Sequence, residues 1–205
     1  VILLDLEGTT TPISFVHDVL FPYARARLVL DLADRAALHA EYERDRDRPA
    51  TFEPQAYALW LMDRDRKSTA LKALQGKLWR HGYERGELRS VVFDDVPPAL
   101  ARWHEAGRTI AIYSSGSIEA QQLLLRYSNH GDLTRYISSY FDTTTGPKRD
   151  PASYRAIGSG TFVSDVVEEL EAAREAGFTG VLAIRPGNAP VAAHEFPTVG
   201  TFDEL

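Results

Sequence analysis

Val1-Ile2-Leu3-Leu4-Asp5-Leu6-Glu7-Gly8-Thr9 opens the chain. Four consecutive apolar residues are too few for an amphipathic helix and show no alternation, so they predict a strand buried on both faces, as in a parallel sheet. Asp5 follows at the strand's end, and Gly8 permits a tight turn. Side chains two apart on an extended segment point the same way, so Asp5 and Glu7 can face one pocket. In an open parallel sheet that pocket lies beyond the carboxyl ends of the strands. A carboxylate there can attack phosphorus, and a neighbouring carboxyl can pass a proton to the leaving oxygen and take one from water. A capping Asp beside a surface Glu would read the same way, so other segments must decide.

Moving outward, the pattern turns helical after Thr11-Pro12. Phe15, Val16, Val19, Leu20, Tyr23, Leu28 and Leu32, then Tyr57, Leu59, Trp60 and Leu61, then Leu71, Leu74, Leu78 and Trp79 recur near helical spacing. A helical insertion over residues 14–91 is predicted, leaving residues 1–13 and 92–205 as the core. The run Glu43-Arg44-Asp45-Arg46-Asp47-Arg48 before Pro49 reads as a solvated helix end and loop. A helix near residues 98–106, closed by Gly107, leads into a second strand over 109–113. The expected class is α/β, a doubly wound parallel sheet with an inserted helical domain.

Ser114-Ser115-Gly116-Ser117 follows that second strand directly and precedes a helix near 118–127. Hydroxyls and free backbone N–H groups at a helix N-terminus favour an anion; an isolated SSGS is more often an ordinary cap, but its place at the end of a second core strand reverses that judgement. Lys148 stands in a loop broken by Gly146-Pro147. Asp165 ends the short strand-like Thr161-Phe162-Val163-Ser164, with Glu168 and Glu169 on a helix closed by Gly177. Nucleophile, anion site, cation and further acid, each at a strand end or adjacent loop, together supply what phosphoryl transfer needs.

Composition narrows the classes. The 205 residues are 44% hydrophobic, enough for a core, and carry a formal net charge of −6 with the acids scattered. Neither a nucleic-acid surface nor a polybasic membrane patch is indicated. The absence of Cys excludes thiol catalysis, disulfides and cysteine metal sites. With no stretch of membrane-spanning length and no signal-peptide pattern, a cytoplasmic protein is expected.

These motifs resemble the haloacid dehalogenase superfamily, with its Asp-x-Asp motif, Ser or Thr after the second strand, Lys, and late acidic motif. More narrowly, LLDLEGTTTPISFVHDVLFPYAR, ALKALQGKLWRHGYERGEL, IYSSGSIEAQQLL and SDVVEELEAAREAG are similar to its enolase-phosphatase group, the acireductone synthases of methionine salvage. Glu7 in place of the usual second Asp, with the Thr-Thr-Pro-Ile-Ser-Phe-Val-His run, marks that group. The resemblance implies a Rossmann-like core of the haloacid dehalogenase type with a helical cap over residues 14–91. It implies Asp5 as nucleophile, Glu7 as general acid/base, Ser114, Ser115 and Gly116 as phosphate-binding, and Lys148 as catalytic cation and substrate ligand. One magnesium ion per subunit would be held by Asp5, the Glu7 carbonyl and Asp165, with Glu169 supporting Asp165 or a metal-bound water.

The implied reaction enolises 2,3-diketo-5-methylthiopentyl 1-phosphate and then removes its phosphate. Glu7 is the candidate enolisation base, with His17 and Lys72 of the insertion as weaker ones. A subset of Phe15, Trp60, Met62, Trp79 and Tyr83 would contact substrate. A small phosphorylated molecule is the expected partner of a monomer. Another phosphatase of the superfamily is the alternative. A phosphate-accepting signalling module is disfavoured by the long insertion and by Glu7. Between Lys148 and Asp165 the resemblance implies a full helix and loop. Here residues 152–157 run straight into Gly158-Ser159-Gly160, which predicts a strained or remodelled connection on which the placing of Asp165 depends. Arg185, in the closing segment, is expected to be structural.

Overall fold

The computed structural model describes residues 1–66 and 68–205. The chain divides into two compact units, Val1–Val16 with Arg89–Leu205, and His17–Leu88. The first is a six-stranded, all-parallel sheet ordered β3-β2-β1-β4-β5-β6. Its strands are β1 (Ile2–Leu4), β2 (Ile110–Tyr113), β3 (Ser139–Phe141), β4 (Thr161–Ser164), β5 (Thr179–Ala183) and β6 (Thr198–Val199). The opening apolar run is therefore a central strand. Leu3 and Leu4 are fully buried, Leu4 in the core layer with Ile112, Val163, Leu100 and Trp103, and Leu3 in the opposite layer with Tyr154, Phe162 and Leu170.

β1 is flanked by β2 and β4, so the chain leaves β1 in one direction and returns on its other side. That reversal of strand order is where open α/β sheets hold ligands, beyond the carboxyl edge. β3 and β6 carry no signal in the sequence reading: β3 is half-exposed and β6 has two residues, too few for a hydrophobic pattern.

The connection across Gly158-Ser159-Gly160 closes without a longer loop. Gly158 and Gly160 take φ of +131° and +152°, which side chains resist, and a Cβ at Gly160 would strike the Val1 backbone. The chain thus passes directly into β4, where the Thr161 N–H donates to the Val1 carbonyl at 2.9 Å.

The second unit is built on α1 (Phe21–Ala26), α2 (Leu32–Tyr42), α3 (Pro54–Asp63) and α4 (Thr69–Glu84). Asp31 and Asp34 cap α2 reciprocally, Glu53 caps α3, and Ser68 caps α4. One part of the charge run predicted to be solvated is not. The Asp45 side chain is 8% exposed, 2.9 Å from Arg66, and accepts from the Tyr57 hydroxyl at 3.1 Å. Tyr57 supplies a buried donor that a reading of charge pattern alone overlooks. Among the described residues, no helix is long and apolar enough to cross a membrane.

In the first unit, α5 (Val96–Glu105) and α6 (Ile118–Arg126) pack on the Leu4 side, while α7 (Pro151–Ile157) and α8 (Val167–Glu175) pack on the Leu3 side. Arg185, 4% exposed, ties the closing segment to the turn after β1. It donates to the Thr9 carbonyl at 2.9 Å and the Gly200 carbonyl at 2.8 Å, and sits 2.8 Å from Asp95. Its guanidinium lies over the rings of Phe93 and Phe202. Removing one partner of such a pair strands the other charge. Arg185→Ala is expected to lower stability by about 3–5 kcal/mol in urea denaturation, and a midpoint equal to that of the parent would refute this role.

Candidate active site

Alternation along β1 sets Asp5 on the Leu3 side, the side of α7 and α8. Its backbone N–H donates to the Val163 carbonyl at 3.0 Å, and the Thr10 hydroxyl donates to its carbonyl at 2.6 Å. The carboxylate is 5% exposed and held at both oxygens. Oδ1 accepts from the Leu6 N–H at 2.8 Å, while Oδ2 lies 2.7 Å from Lys148 Nζ and 3.1 Å from the Ser164 hydroxyl. The following turn is just as fixed. The N–H groups of Thr9, Thr10 and Thr11 converge on the Leu6 carbonyl, and Asn188 donates to the Gly8 carbonyl at 2.8 Å.

Lys148 sits between two acids. Its Nζ lies 2.6 Å from Glu169 as well as 2.7 Å from Asp5, with 9% of the side chain exposed. Burial opposes its charge, but the two carboxylates outweigh that and raise its pKa. Glu169, on the first turn of α8, makes its contacts with Lys148 and with the Ser164 hydroxyl at 3.1 Å, rather than with Asp165. Burial, and then the charge of Asp5, raise the proton affinity of Glu169 against the pull of Lys148. Ser164 was not singled out in sequence. It lies directly before Asp165, but a Ser at a strand end carries no distinguishing pattern.

Asp165 lies against the turn: a Cβ on Gly8, whose φ is +72°, would collide with its carboxylate. Burial first, then the charge of Asp5, push Asp165 up to about 6, and the charge of Glu7 adds to this. Asp5, Lys148, Asp165 and Glu169 are thus brought to one sheet end, with Glu7 near enough to act on Asp165.

Ser114 belongs to the same edge. Leu4 pairs in register with Ile112, so Asp5 is level with Tyr113 and Ser114 is one step beyond. Ser114 is buried and its Oγ accepts from the Gly116 N–H at 3.2 Å, whereas Ser115 is exposed. Gln121, missed in sequence, donates from one amide nitrogen to the carbonyls of Gly116 and Phe141, both at 2.8 Å, tying this loop to β3. Its only signal was a polar residue within a helix of leucines. His17 and Lys72 lie in the helical unit.

The donor set suits a small hard cation. Asp5 is a buried oxygen donor and Asp165 a half-buried one; burial and then the charge of Asp5 raise Asp165, and a divalent ion would relieve the repulsion between the two. Among the described residues, no three His, Cys, Asp or Glu side chains form a ready-made cage. Magnesium takes only one or two carboxylates and completes its shell with water and phosphate.

Lys148→Met, in chelator, leaves Asp5 and Glu169 facing each other without a cation and is expected to cost about 3–5 kcal/mol of stability. Adding Glu169→Gln should recover at least half of that loss in urea denaturation. A double variant no more stable than the single would show that Lys148 does not offset this repulsion.

Similarity to known proteins runs along the chain. A family model for haloacid dehalogenase-like hydrolases matches residues 1–177. Enolase-phosphatase E1 of Synechococcus elongatus is 49% identical over 229 aligned positions, covering 100% of this chain and 96% of that protein. Enolase-phosphatase E1 of Sorangium cellulosum is 45% identical, again covering 100% and 96%. The crystal structure of the UTR4 protein of Saccharomyces cerevisiae superposes with a TM-score of 0.79 at 35% identity, covering 100% of this chain and 98% of that one. The alignment to the Synechococcus protein is longer than the 205 residues here, so that relative carries stretches this chain lacks. With the parallel sheet, the acid-flanked lysine and these full-length matches in hand, the chain belongs to the enolase-phosphatase E1 family of haloacid dehalogenase-like hydrolases.

Proposed function

We propose that this hydrolase is a magnesium-dependent enolase-phosphatase of methionine salvage, with Asp5 as the phosphoryl-accepting nucleophile and 2,3-diketo-5-methylthiopentyl 1-phosphate as substrate. The observation that carries the reading is a buried Asp5 carboxylate, at the end of the central strand, with a lysine ammonium 2.7 Å away. The names of its full-length relatives support it. Asp5, Asp165 and the Glu7 main-chain carbonyl would hold the ion. When bound, magnesium supplies positive charge for the phosphate and for a carbonyl oxygen on which negative charge develops.

The chain's own residues account for the remaining steps. In enolisation, a base takes a proton from the carbon beside a carbonyl and the carbonyl oxygen gains one, so the substrate is isomerised with no net loss. Glu7 is the proposed base, with its charge set near Asp165. In phosphoryl transfer, an Asp5 oxygen bonds to phosphorus as the bond to the substrate oxygen breaks, and protonated Glu7 gives that oxygen its proton. Water then attacks the phosphoaspartate, Glu7 takes its proton, and inorganic phosphate leaves with Asp5 restored. Lys148 offsets the repulsion between the dianionic phosphate and Asp5. Ser114, Ser115 and Gly116 would bind the phosphoryl oxygens. We assign the phosphatase chemistry to residues 1–13 and 92–205, and the role of specificity cap to residues 14–91.

Incubation with the diketo phosphate and magnesium should give an enol absorbance change before free phosphate appears. Phosphate release with no enol phase would favour a different phosphatase of the same superfamily. Asp5→Asn replaces the nucleophile with an amide and should lower phosphate release at least about a thousandfold, while magnesium binding weakens only in part. Turnover near the parent rate would exclude the covalent route.

A further inference from the structure

Lys148 stands on a stretch that is neither helix nor strand, broken by Gly146 at φ +144° and by Pro147. Three side-chain hydroxyls meet this stretch carbonyl by carbonyl. Tyr113 donates to the Gly146 carbonyl at 2.9 Å, Ser153 to the Pro147 carbonyl at 2.8 Å, and Tyr154 to the Lys148 carbonyl at 2.7 Å. Tyr113 ends β2, the strand that leads into Ser114, and the other two lie on the first turn of α7.

The donors are deeply placed: Tyr113 and Tyr154 are 0% exposed and Ser153 is 2% exposed. Their rings join the core layer of Leu3, with Tyr154 packed 5.4 Å from Tyr113 and 5.2 Å from Phe162, centroid to centroid. Phenylalanine would satisfy that packing, so the hydroxyls are not required by the core. A buried hydroxyl is costly unless bonded, and these are bonded to the backbone that carries Lys148. Burial raises both phenols above their ordinary range, so they remain O–H donors. The Lys148 stem is long and flexible, and its ammonium can meet Asp5 and Glu169 together only if its Cα is fixed.

We propose that Tyr113, Ser153 and Tyr154 are positioning residues, a hydroxyl cradle that fixes the main chain of Lys148 so that its ammonium stays on Asp5. The kinetic part of this inference rests on the phosphatase reading above. The test replaces Tyr113→Phe and Tyr154→Phe together and uses two readouts. The first is steady-state phosphate release from the diketo phosphate, where kcat should fall about tenfold with KM within about twofold of the parent. The second needs no turnover: the rate at which an amine-acylating reagent labels Lys148, followed by peptide mapping, should rise about tenfold as the ammonium is released from its carboxylates.

Labelling unchanged from the parent overturns the cradle, whether or not kcat falls. If the parent releases no phosphate yet labelling still rises in the variant, the functional reading fails and the cradle stands. Should the double variant not fold, Tyr154→Phe alone carries the same two readouts.

Discussion

A single ammonium, Lys148 Nζ, stands 2.7 Å from Asp5 and 2.6 Å from Glu169, with all three side chains largely buried. Bringing three charges out of solvent costs several kcal/mol per ion, and only close, multiply hydrogen-bonded geometry offsets it. The surroundings supply that geometry. Ser164 reaches both carboxylates, the Leu6 N–H meets the free side of Asp5, and three hydroxyls hold the carbonyls of the lysine's own loop. With one cation among Asp5, Glu169 and Asp165, the site retains excess negative charge. That excess adds to the effect of burial in pushing Asp165 up, and it suits the site to a divalent ion.

The sheet makes this possible by placing β1 between β2 and β4. Asp5 can draw on β4 for Ser164 and Asp165 and on the β2 edge for Ser114, because parallel strands end together. Register matters here, since a slip of one residue would turn Asp5 to the α5 and α6 side, away from Lys148 and Glu169. Thr161 hydrogen-bonding to Val1, and Gly160 packed where no Cβ fits, help to hold that register. The turn after Asp5 is held from the closing segment by Arg185 and Asn188, which links the last part of the chain to the first.

Much of this was legible in the residues. The apolar run Val1 to Leu4 announced a buried strand, which Ile2 to Leu4 form while Val1 is exposed, because apolar runs of that length have few other uses. Gly8 announced the turn, now seen at φ +72° with Asp165 pressed against it. Arg185 was expected to be structural and is buried among carbonyls and rings. The short Gly158-Ser159-Gly160 connection, expected to be strained or remodelled, turns the chain directly into β4 through glycine conformations that other residues resist. Other parts were silent. Ser164, Gln121 and Tyr154 are common residue types at unremarkable positions, and only their partners, distant in sequence, distinguish them.

Sequence by itself determined the strand that carries Asp5, the residue types at the strand ends, and the family whose motifs they match. These depend on local pattern and on side-chain chemistry, which are fixed residue by residue. Tertiary structure alone decided that Glu169 meets Lys148 rather than Asp165, that Asp45 is held by Tyr57 and Arg66 rather than solvated, and that three hydroxyls grip the lysine loop. Such pairings form between groups brought together by packing, and their strength depends on the burial that packing creates.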